Sequence, residues 1–409
     1  MRKQVFTVLL LLLVLAGCAP SPAPDPAPVP VPEVEEPAVP PPEPVEVREP
    51  EPDPRAETVE AILGAMTLEE KVGQMFFPRC PEVEAAEKIA GFHLGGCLLF
   101  TKDFKDSGKN WLTAEQLMEK LEGYQAAASV PLLIGVDEEG GTVARASRNP
   151  NLFPEKFQSP RRVFARGLEA DPEGGFNAGM EAIRADAAEK SAGLRRYGIN
   201  VNFAPVADVS AGPEDFMYDR TFGADAREAA RFVAVSVLEM NRAGVGSVLK
   251  HFPGYGDNAD THTGIAVDER PWEQFMIHDF APFREGILCG AGAVLVSHNI
   301  VTCMDGALPA SLSPEVHRIL REELGFEGVI LTDDLAMSAV EDYAREGSVA
   351  ELAVLAGNDM IVTSDFEKQI PLVLEAVEAG RIEESMLDEA VRRVLGWKYD
   401  LGLIGETND

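Results

Sequence analysis

The sequence predicts a (β/α)8 barrel, or TIM barrel, contained in a single domain, and three observations support this fold class. After residue 55, short apolar runs alternate with longer amphipathic segments. The runs are continuous in Val, Ile and Leu, as in parallel strands that are buried on both faces. Eight runs are present, which is the number of strands in this barrel. An open doubly wound sheet is the alternative, although no Gly-x-Gly-x-x-Gly segment follows the first strands.

The predicted strands are separated by segments long enough for a crossover helix, as parallel strands require. The strands are predicted at residues 74–78, 96–100, 132–137, 200–205, 247–251, 293–298, 329–333 and 359–363. Helices are predicted at residues 114–128, 225–243, 272–288, 314–324, 348–356, 366–379 and 382–401.

Polar side chains stand at the carboxyl ends of five successive predicted strands. One loop charge is usually only solvated, but five in a row behind apolar strands indicate a shared cavity, since barrel proteins place their functional groups at this end. The residues are Asp137, Glu138 and Glu139 after the third strand, Asp208 after the fourth, Lys250 and His251 after the fifth, Ser297 and His298 after the sixth, and Asp333 and Asp334 after the seventh.

The amino terminus has the features of an export signal. Arg2 and Lys3 precede an apolar run, residues 5–15, that is too short to span a bilayer. Residues 15–18, Leu-Ala-Gly-Cys, resemble a bacterial lipoprotein box, which implies that Cys18 carries a lipid anchor. We therefore predict a signal peptide at residues 1–18 and an exported protein anchored to the extracytoplasmic face of the cell membrane. An ordinary cleaved signal with an incidental cysteine is the alternative.

Residues 19–55 are dominated by Pro, Glu, Ala and Val. Pro fixes φ and removes a backbone donor, so this segment cannot join a helix or a sheet, and its carboxylates repel one another. We predict a disordered linker before a globular domain at residues 56–409. The linker either lifts that domain off the membrane as a stalk or is a tail without a spacing role.

Composition excludes several classes of function. The formal net charge of −32 at pH 7 opposes nucleic-acid binding, because phosphate backbones are met by clustered Lys and Arg. The five cysteines contain no Cys-x-x-Cys pair and the six histidines no His-Glu-x-x-His motif, so we predict no metal site and no cofactor. Whether Cys80, Cys97, Cys289 or Cys303 form disulfides stays open.

Two segments carry candidate catalytic groups. Asp260 and His262 flank one residue in a Pro- and Gly-rich loop, so in extended backbone their side chains point the same way. A carboxylate beside an imidazole orients the ring and stabilises its charged form, as a general acid/base near neutral pH requires. Asp333, at the tip of the seventh strand, is a candidate nucleophile or sugar ligand, whereas Asp334 suits a helix cap.

Ordered segments through most of residues 58–401 resemble glycoside hydrolase family 3, in particular its single-domain bacterial β-N-acetylglucosaminidases. The segments are 135–141 (Gly-Val-Asp-Glu-Glu-Gly-Gly), 202–209 (Asn-Phe-Ala-Pro-Val-Ala-Asp-Val), 219–223 (Asp-Arg-Thr-Phe-Gly), 250–262, 331–337 and 356–360 (Ala-Gly-Asn-Asp-Met). The resemblance implies a catalytic TIM barrel.

The resemblance also implies a role for each candidate residue. Asp333 would be the nucleophile of a retaining enzyme that forms a covalent glycosyl intermediate, and Asp260 and His262 its acid/base dyad. Further residues would hold the sugar hydroxyls, in agreement with the strength and direction of charge-assisted hydrogen bonds. These residues are Asp137, Arg145, Arg220, Lys250 and His251.

The expected substrate is terminal β-linked N-acetylglucosamine on peptidoglycan fragments, with chito-oligosaccharides as the second choice. We expect a monomer that binds carbohydrate and, through its anchor, a membrane. Two other functions stay open, a β-N-acetylglucosaminide phosphorylase on the same scaffold and a non-catalytic cell-wall-binding lipoprotein. Phosphate-dependent product release would identify the first. The joint presence of Asp333, Asp260 and His262 argues against the second.

Overall fold

The computed structural model describes residues 53–210, 212–256, 266–337, 340, 343 and 348–405. These residues form a mixed α/β fold around a six-stranded parallel sheet that makes a half-barrel. In pairing order its strands are β1 (Gly96–Leu99), β2 (Leu133–Val136), β3 (Val201–Asn202), β4 (Gly246–Phe252), β6 (Ala293–Val296) and β8 (Val329–Thr332). Strands β5 (Val267–Asp268) and β7 (Ile300–Val301) form a separate parallel pair. The predicted signal peptide, Cys18 and nearly all of the predicted linker lie outside the described residues.

Helices connect the strands and cover the sheet. They are α1 (Pro54–Ala65), α2 (Leu68–Gln74), α3 (Ala85–Gly91), α4 (Ala114–Ala127), α5 (Pro160–Ala170), α6 (Gly175–Arg196), α7 (Ala226–Arg242), α8 (Trp272–Gln274), α9 (Phe280–Leu288), α10 (Pro314–Arg318), α11 (Val349–Ala356), α12 (Phe366–Glu378) and α13 (Glu384–Asp400). Two predicted helices, 272–288 and 314–324, each contain a five-residue π-helical stretch, Phe275–Asp279 and Ile319–Glu323. No helix in the described part of the chain combines the length and apolarity needed to cross a bilayer.

Six of the eight predicted strands are present, and the other two are reduced to isolated bridges. Phe76, in the predicted strand 74–78, pairs in parallel with Ile361, in the predicted strand 359–363. Two backbone hydrogen bonds join these two segments, from Phe77 N to Ile361 O (2.9 Å) and from Ile361 N to Met75 O (2.7 Å). Further parallel bridges join Leu331 to Met360 and Arg79 to Leu98.

Side chains alternate between the two faces of each strand, and this alternation divides the core into a central cluster and a part that faces the helices. In β6, Ala293 and Leu295 join a central cluster, whereas Val294 and Val296 pack against the helices. Both faces of each strand are therefore buried, which explains the continuous apolar runs in the sequence. The central cluster takes residues from all six strands and from both bridged segments: Phe77, Leu98, Leu133, Val201, Phe203, Val248, Ala293, Leu295, Val329, Leu331, Met360 and Val362.

Glycines make room for the largest rings of the central cluster. A Cβ on Gly135 would lie 2.8 Å from ring atoms of both Phe77 and Phe203, whose ring centroids are 5.3 Å apart in an edge-to-face arrangement. At the amino-terminal end of the sheet, Trp397 of α13 fills the equivalent space. A Cβ on Gly292 would lie 2.1 Å from its Nε1. The chain thus closes this end with an aromatic plug and leaves the carboxyl end for polar groups.

Lys398, next to that plug, is a buried lysine with a single polar contact among the described residues. Its side chain is 0% exposed, and Nζ donates to Gln74 Oε1 at 2.6 Å. Burial lowers the pKa of Lys398 to about 7. The unfolded chain, with an ordinary lysine pKa of about 10.4, binds a proton between these two values that the folded protein does not. The contribution of Lys398 to the free energy of unfolding therefore rises with pH in this window.

We predict that Lys398→Met removes this rise. At pH 7 the variant should unfold with a free energy up to about 3 kcal/mol above that of the parent, and the difference should shrink by pH 10. Urea unfolding at pH 7, 8, 9 and 10 measures the difference. Lys368→Met, which removes an exposed lysine, is the control and should leave the slope unchanged. A parent and a Lys398→Met variant with parallel pH curves would contradict the prediction.

Candidate active site

One cavity of about 190 Å³ lies at the carboxyl end of the sheet. It brings together six of the residues predicted to act on a sugar, which come from the ends of three strands, β2, β4 and β8, and from the loops after β2 and β3. The lining also includes residues that were not predicted as site residues. The six are Asp137, Arg145, Arg220, Lys250, His251 and Asp333, and the polar additions are Arg79 and Asp334.

A buried carboxylate holds the two main cations of this cavity. Glu139 Oε1 lies 2.6 Å from Lys250 Nζ and 2.7 Å from Arg220 Nη2. Arg220 Nε also donates to Glu139 Oε2 at 2.9 Å, so this pair is bidentate. Lys250 Nζ then donates to Asp137 Oδ1 at 2.7 Å. Four charged side chains from three segments are therefore locked into one arrangement at the floor of the cavity.

The ionisation of these groups follows from their pairing. Burial raises the pKa of Glu139, but Arg220 and Lys250 together lower it more, so the pKa lies well below the usual range of a carboxyl. Burial lowers the pKa of Lys250, but the carboxylates of Asp137 and Glu139 outweigh this effect and raise it. Both side chains are charged at neutral pH, and each needs the other because an unpaired buried charge is costly.

His251 is oriented by a second buried acid. Asp208 Oδ2 lies 2.8 Å from His251 Nδ1 and accepts the backbone N–H of His251 at 2.9 Å, while Oδ1 accepts the backbone N–H of Tyr255 at 2.8 Å. His251 Nε2 lies 3.2 Å from Arg220 Nη2. A guanidinium can only donate, so Nε2 accepts and the proton sits on Nδ1, facing Asp208.

Glu138 points away from Glu139 and builds the turn that carries Arg145. Its Oε2 accepts three backbone N–H groups, from Arg145 (2.9 Å), Ala146 (2.7 Å) and Ser147 (3.2 Å). The guanidinium of Arg145 lies 5.5 Å from the centroid of the Phe100 ring. Its buried Nε has no hydrogen-bond partner among the described residues. Arg145 as a whole lines the cavity.

Asp333 is held at the tip of β8. Its backbone N–H donates to Val296 O at 2.9 Å, and its Oδ1 accepts the backbone N–H of Asp334 at 2.8 Å. Asp334 instead turns toward the next segment, where Oδ1 accepts the backbone N–H of Ala336 (3.0 Å) and Oδ2 lies 2.7 Å from Arg79 Nη2. Both acids line the cavity, but Asp334 is engaged by Arg79 and by the turn that follows it.

Arg270 anchors the start of the loop after β4. It lies between two acids that are almost fully buried, with Nη2 2.7 Å from Asp268 Oδ2 and Nη1 2.8 Å from Asp279 Oδ1. Its Nη2 also donates to the carbonyl of Gly254 at 2.9 Å. A Cβ on Gly256, where φ is +57°, would lie 2.4 Å from Arg270 Nη1. The backbone of 254–256 is therefore pinned against this guanidinium.

The predicted acid/base pair lies outside the described residues, since Asp260 and His262 belong to the segment 257–265. The described chain resumes at Ala266, whose carbonyl accepts the backbone N–H of Ile300 at 2.8 Å. Both flanks of the segment are accordingly fixed, one by Arg270 and the other by the β5–β7 pair.

Sequence reasoning missed several residues that hold the site. Glu139 had a signal, because it stands two residues after Asp137 and so shares its face in an extended strand. Asp208 was noted as a polar strand end but given no role. Arg79 and Arg270 had no sequence signal, since each meets its partners through contacts between segments that are distant in the chain.

We predict that Glu139→Gln lowers the free energy of unfolding by about 3 kcal/mol at pH 7, because it leaves two buried cations without their shared carboxylate. The folded pKa of Glu139 is lowered, so the stability it contributes is present above the unfolded carboxyl pKa of about 4.3 and is lost as pH falls. The parent and the variant should therefore converge in acid. Urea unfolding between pH 3 and pH 7 measures this, with the exposed Glu155→Gln as control. Equal stability of Glu139→Gln and the parent at pH 7 would refute the prediction.

Comparison with known proteins places these residues in a family. Residues 67–396 match the model of the glycosyl hydrolase family 3 N-terminal domain. A beta-hexosaminidase of Xanthomonas oryzae pv. oryzae (strain MAFF 311018) is 32% identical over 320 residues, which cover 77% of this chain and 89% of the relative.

Solved structures agree with this match. A glycoside hydrolase family 3 beta-N-acetylglucosaminidase from Paenibacillus sp. str. FPU-7 superposes with a TM-score of 0.72 at 31% identity, covering 84% of this chain and 65% of that one. A beta-N-acetylhexosaminidase from Beutenbergia cavernae DSM 12333 gives 0.68 at 28% identity, covering 81% and 98%. This chain therefore spans just under two thirds of the Paenibacillus protein and nearly all of the Beutenbergia one. The family match covers most of the chain, and the protein is a glycoside hydrolase that belongs to glycosyl hydrolase family 3.

Proposed function

We propose that this protein is a retaining β-N-acetylglucosaminidase that removes terminal β-linked N-acetylglucosamine from cell-wall fragments or chito-oligosaccharides. The observation that carries the proposal is the meeting of Asp333 with five charged or polar sugar-binding candidates in one cavity. The names of the Xanthomonas, Paenibacillus and Beutenbergia proteins support the same substrate class.

In the first step the Asp333 carboxylate attacks the anomeric carbon. The bond from that carbon to the leaving oxygen breaks, and His262 donates a proton to the oxygen. In the second step His262 takes a proton from water, the water oxygen bonds to the anomeric carbon, and the Asp333 carboxylate is released. Two displacements retain the anomeric configuration. Asp260 orients His262 and stabilises its charged form.

The paired charges of the cavity floor fix the sugar ring. Lys250, Arg220 and the Nδ1-protonated His251 are held by Glu139 and Asp208, so they need little reorganisation when hydroxyls bind. Asp137 accepts hydrogen bonds from sugar hydroxyls while it pairs with Lys250, and the guanidinium of Arg145 is a further donor. Such a rigid set holds the anomeric carbon in line with the nucleophile, which lowers the entropic part of the barrier.

We further propose that the half-barrel is completed into a (β/α)8 barrel by the segments around Phe76 and Ile361. The parallel bridges that join these segments to each other and to Leu98 and Leu331 support this closure. A closed barrel would place the loops after all eight strands around one mouth, which is where Asp333 and the loop with His262 need to meet.

We also propose the cellular context that the amino terminus predicts. A signal peptide at residues 1–18, a lipid on Cys18, a linker at 19–55 and the catalytic domain at 56–409 would make an exported, monomeric enzyme tethered to the cell membrane. Such an enzyme would act on the glycan of the cell wall outside the cytoplasm.

A panel of nitrophenyl glycosides tests the reaction. We predict preference for the β-N-acetylglucosaminide, no effect of a chelator and no requirement for phosphate. Asp333→Asn should lose at least about 10³-fold in kcat because it removes the nucleophile. His262→Ala should lose about 10²- to 10⁴-fold, and more with poor leaving groups, because those need protonation.

The matched control for the nucleophile is Asp365→Asn, since this acid is exposed and follows the predicted strand 359–363. It should retain parental activity. Release of sugar phosphate in place of free sugar would identify a phosphorylase, and an inactive parent would favour a binding protein. Parental activity in Asp333→Asn would refute the proposed nucleophile.

Detergent partitioning tests the anchor. We predict that the full chain expressed in a bacterial host enters the detergent phase and incorporates a palmitate analogue, whereas Cys18→Ala does neither, because acylation buries many methylenes in lipid. Activity on the aryl glycoside is the control and should be equal in both proteins. Identical partitioning of the parent and Cys18→Ala would contradict a lipid on this residue.

A further inference from the structure

His298 is a buried histidine that follows β6 and has no part in the two displacements described above. It is 0% exposed, and a polar ring removed from water is costly unless its nitrogens are hydrogen-bonded. Its Nε2 lies 3.1 Å from the carbonyl oxygen of Asp334, and its Nδ1 lies 2.7 Å from Ser311 Oγ. A carbonyl oxygen can only accept, so Nε2 carries a hydrogen. His298 therefore donates to the residue that follows the proposed nucleophile.

The chain at and after β6 contacts the tip of β8 at two points. The parallel ladder between the two strands ends at the pair Val296 and Thr332. Val296 O accepts the backbone N–H of Asp333 at 2.9 Å. His298, two residues after Val296, then reaches Asp334 with its ring. This side chain extends the connection between the two strands past the end of their ladder, into the turn that carries the carboxylate of Asp333.

Asp334 connects this histidine to the carboxylate of Asp333. The backbone N–H of Asp334 donates to Asp333 Oδ1 at 2.8 Å, which fixes the orientation of the carboxylate. The carbonyl of Asp334 accepts two hydrogen bonds, one from His298 and one from the backbone N–H of Met337 at 3.0 Å. Met337 belongs to the same turn, so its bond does not fix the turn relative to the sheet. The bond from His298 does, because His298 is attached to β6.

The orientation of the His298 ring is fixed in turn by Ser311, which is also 0% exposed. The backbone N–H of Ser311 donates to Ser297 O at 2.9 Å, and its carbonyl accepts Asn358 Nδ2 at 2.8 Å. Because Ser311 is held at both backbone groups, its hydroxyl has a fixed position beside Nδ1 of the ring. The ring therefore keeps Nε2 directed at Asp334.

We propose that His298 is a positioning residue, which fixes the Asp333 carboxylate for attack through its hydrogen bond to Asp334. This inference rests on the proposed function, because it takes Asp333 as the nucleophile. His298 is not one of the described residues that line the catalytic cavity, so it acts through Asp334 and not on the sugar. A carboxylate in a fixed position lowers the entropic part of the barrier.

Two amide substitutions that differ in reach test this role. Gln can place an amide nitrogen near the position of Nε2, whereas the shorter Asn reaches only the position of Nδ1. His298→Gln thus keeps a donor for Asp334, and His298→Asn keeps a partner for Ser311 alone. We expect His298→Asn to lower kcat on the aryl β-N-acetylglucosaminide about 10- to 10²-fold with little change in KM, and His298→Gln to stay within about threefold of the parent.

The control is Tyr197→Phe, which removes another buried hydrogen bond from a side chain to a carbonyl, that of the Tyr197 hydroxyl to Leu152 O at 2.8 Å. It should lower the urea midpoint of unfolding and leave kcat at the parental value. Equal losses of kcat in His298→Gln and His298→Asn, or no loss in either, would overturn the inference. A kcat that follows the urea midpoint in all three variants would do the same, since a purely structural role predicts that result.

Binding measured without turnover separates this inference from the proposed function. The probes are 2-acetamido-1,2-dideoxynojirimycin, whose ring ammonium would pair with the Asp333 carboxylate, and neutral N-acetylglucosamine. In calorimetric titrations His298→Asn should bind the cationic probe about tenfold more weakly than the parent does, and the neutral sugar equally well. This difference in a parent that hydrolyses no aryl glycoside would overturn the proposed function alone. Parental affinity of His298→Asn for both probes, with an active parent and an inactive Asp333→Asn, would overturn the role of His298 alone.

Discussion

The site depends on the carboxylate of Glu139, which is shared between Lys250 and Arg220. Three strand or loop ends converge where the sheet stops, and each contributes a charge that is largely removed from water. Such a cluster is tolerated only when every charge has a partner within hydrogen-bonding distance. The Glu139 carboxylate is the partner of both cations, at 2.6 Å from Lys250 Nζ and 2.7 Å from Arg220 Nη2. These two cations in turn lower the pKa of Glu139.

The consequence for ligand binding is that the cavity presents charges whose positions are already fixed. Arg220 reaches the ring of His251, and Asp208 holds the other side of that ring, so one network extends from Asp137 to the start of the loop after β4. Arg270 continues the support along the same loop. A sugar that enters therefore meets a rigid set of donors and acceptors on one side and the Asp333 carboxylate at the tip of β8, an arrangement suited to positioning an anomeric carbon.

The parts of the structure that follow from local pattern could be predicted from the sequence. The apolar runs that form β1, β2, β4, β6 and β8 are buried on both faces. A continuous run of Val, Ile and Leu is the sequence pattern expected of such strands. The predicted strands at 74–78 and 359–363 form isolated bridges in place of continuous strand pairs. The length of a strand depends on hydrogen bonds to neighbouring segments, and an apolar run in the sequence does not show where those neighbours lie. The resemblance to the family selected six residues that the structure brings together in one cavity, whereas the predicted dyad lies beyond the described residues.

What could not be predicted depends on contacts between distant segments. Glu138 and Glu139 are identical in type and adjacent, yet one builds the turn of Arg145 and the other neutralises Lys250 and Arg220. Successive side chains of an extended backbone point to opposite sides, and this alternation gives the two glutamates different partners. The role of Arg270 likewise depends on the tertiary fold, since no spacing in the sequence links Arg270 to the carbonyl of Gly254.

The central claim is that Asp333 forms a covalent bond to the sugar during turnover. Incubation with 5-fluoro-N-acetyl-β-glucosaminyl fluoride, which slows the second displacement, followed by mass spectrometry of the intact protein and its peptides, tests this directly. We predict one added fluoroglycosyl mass, located on the peptide at Asp333, that disappears on standing as the enzyme reactivates. A label on another residue, or inactivation without any added mass, would contradict it.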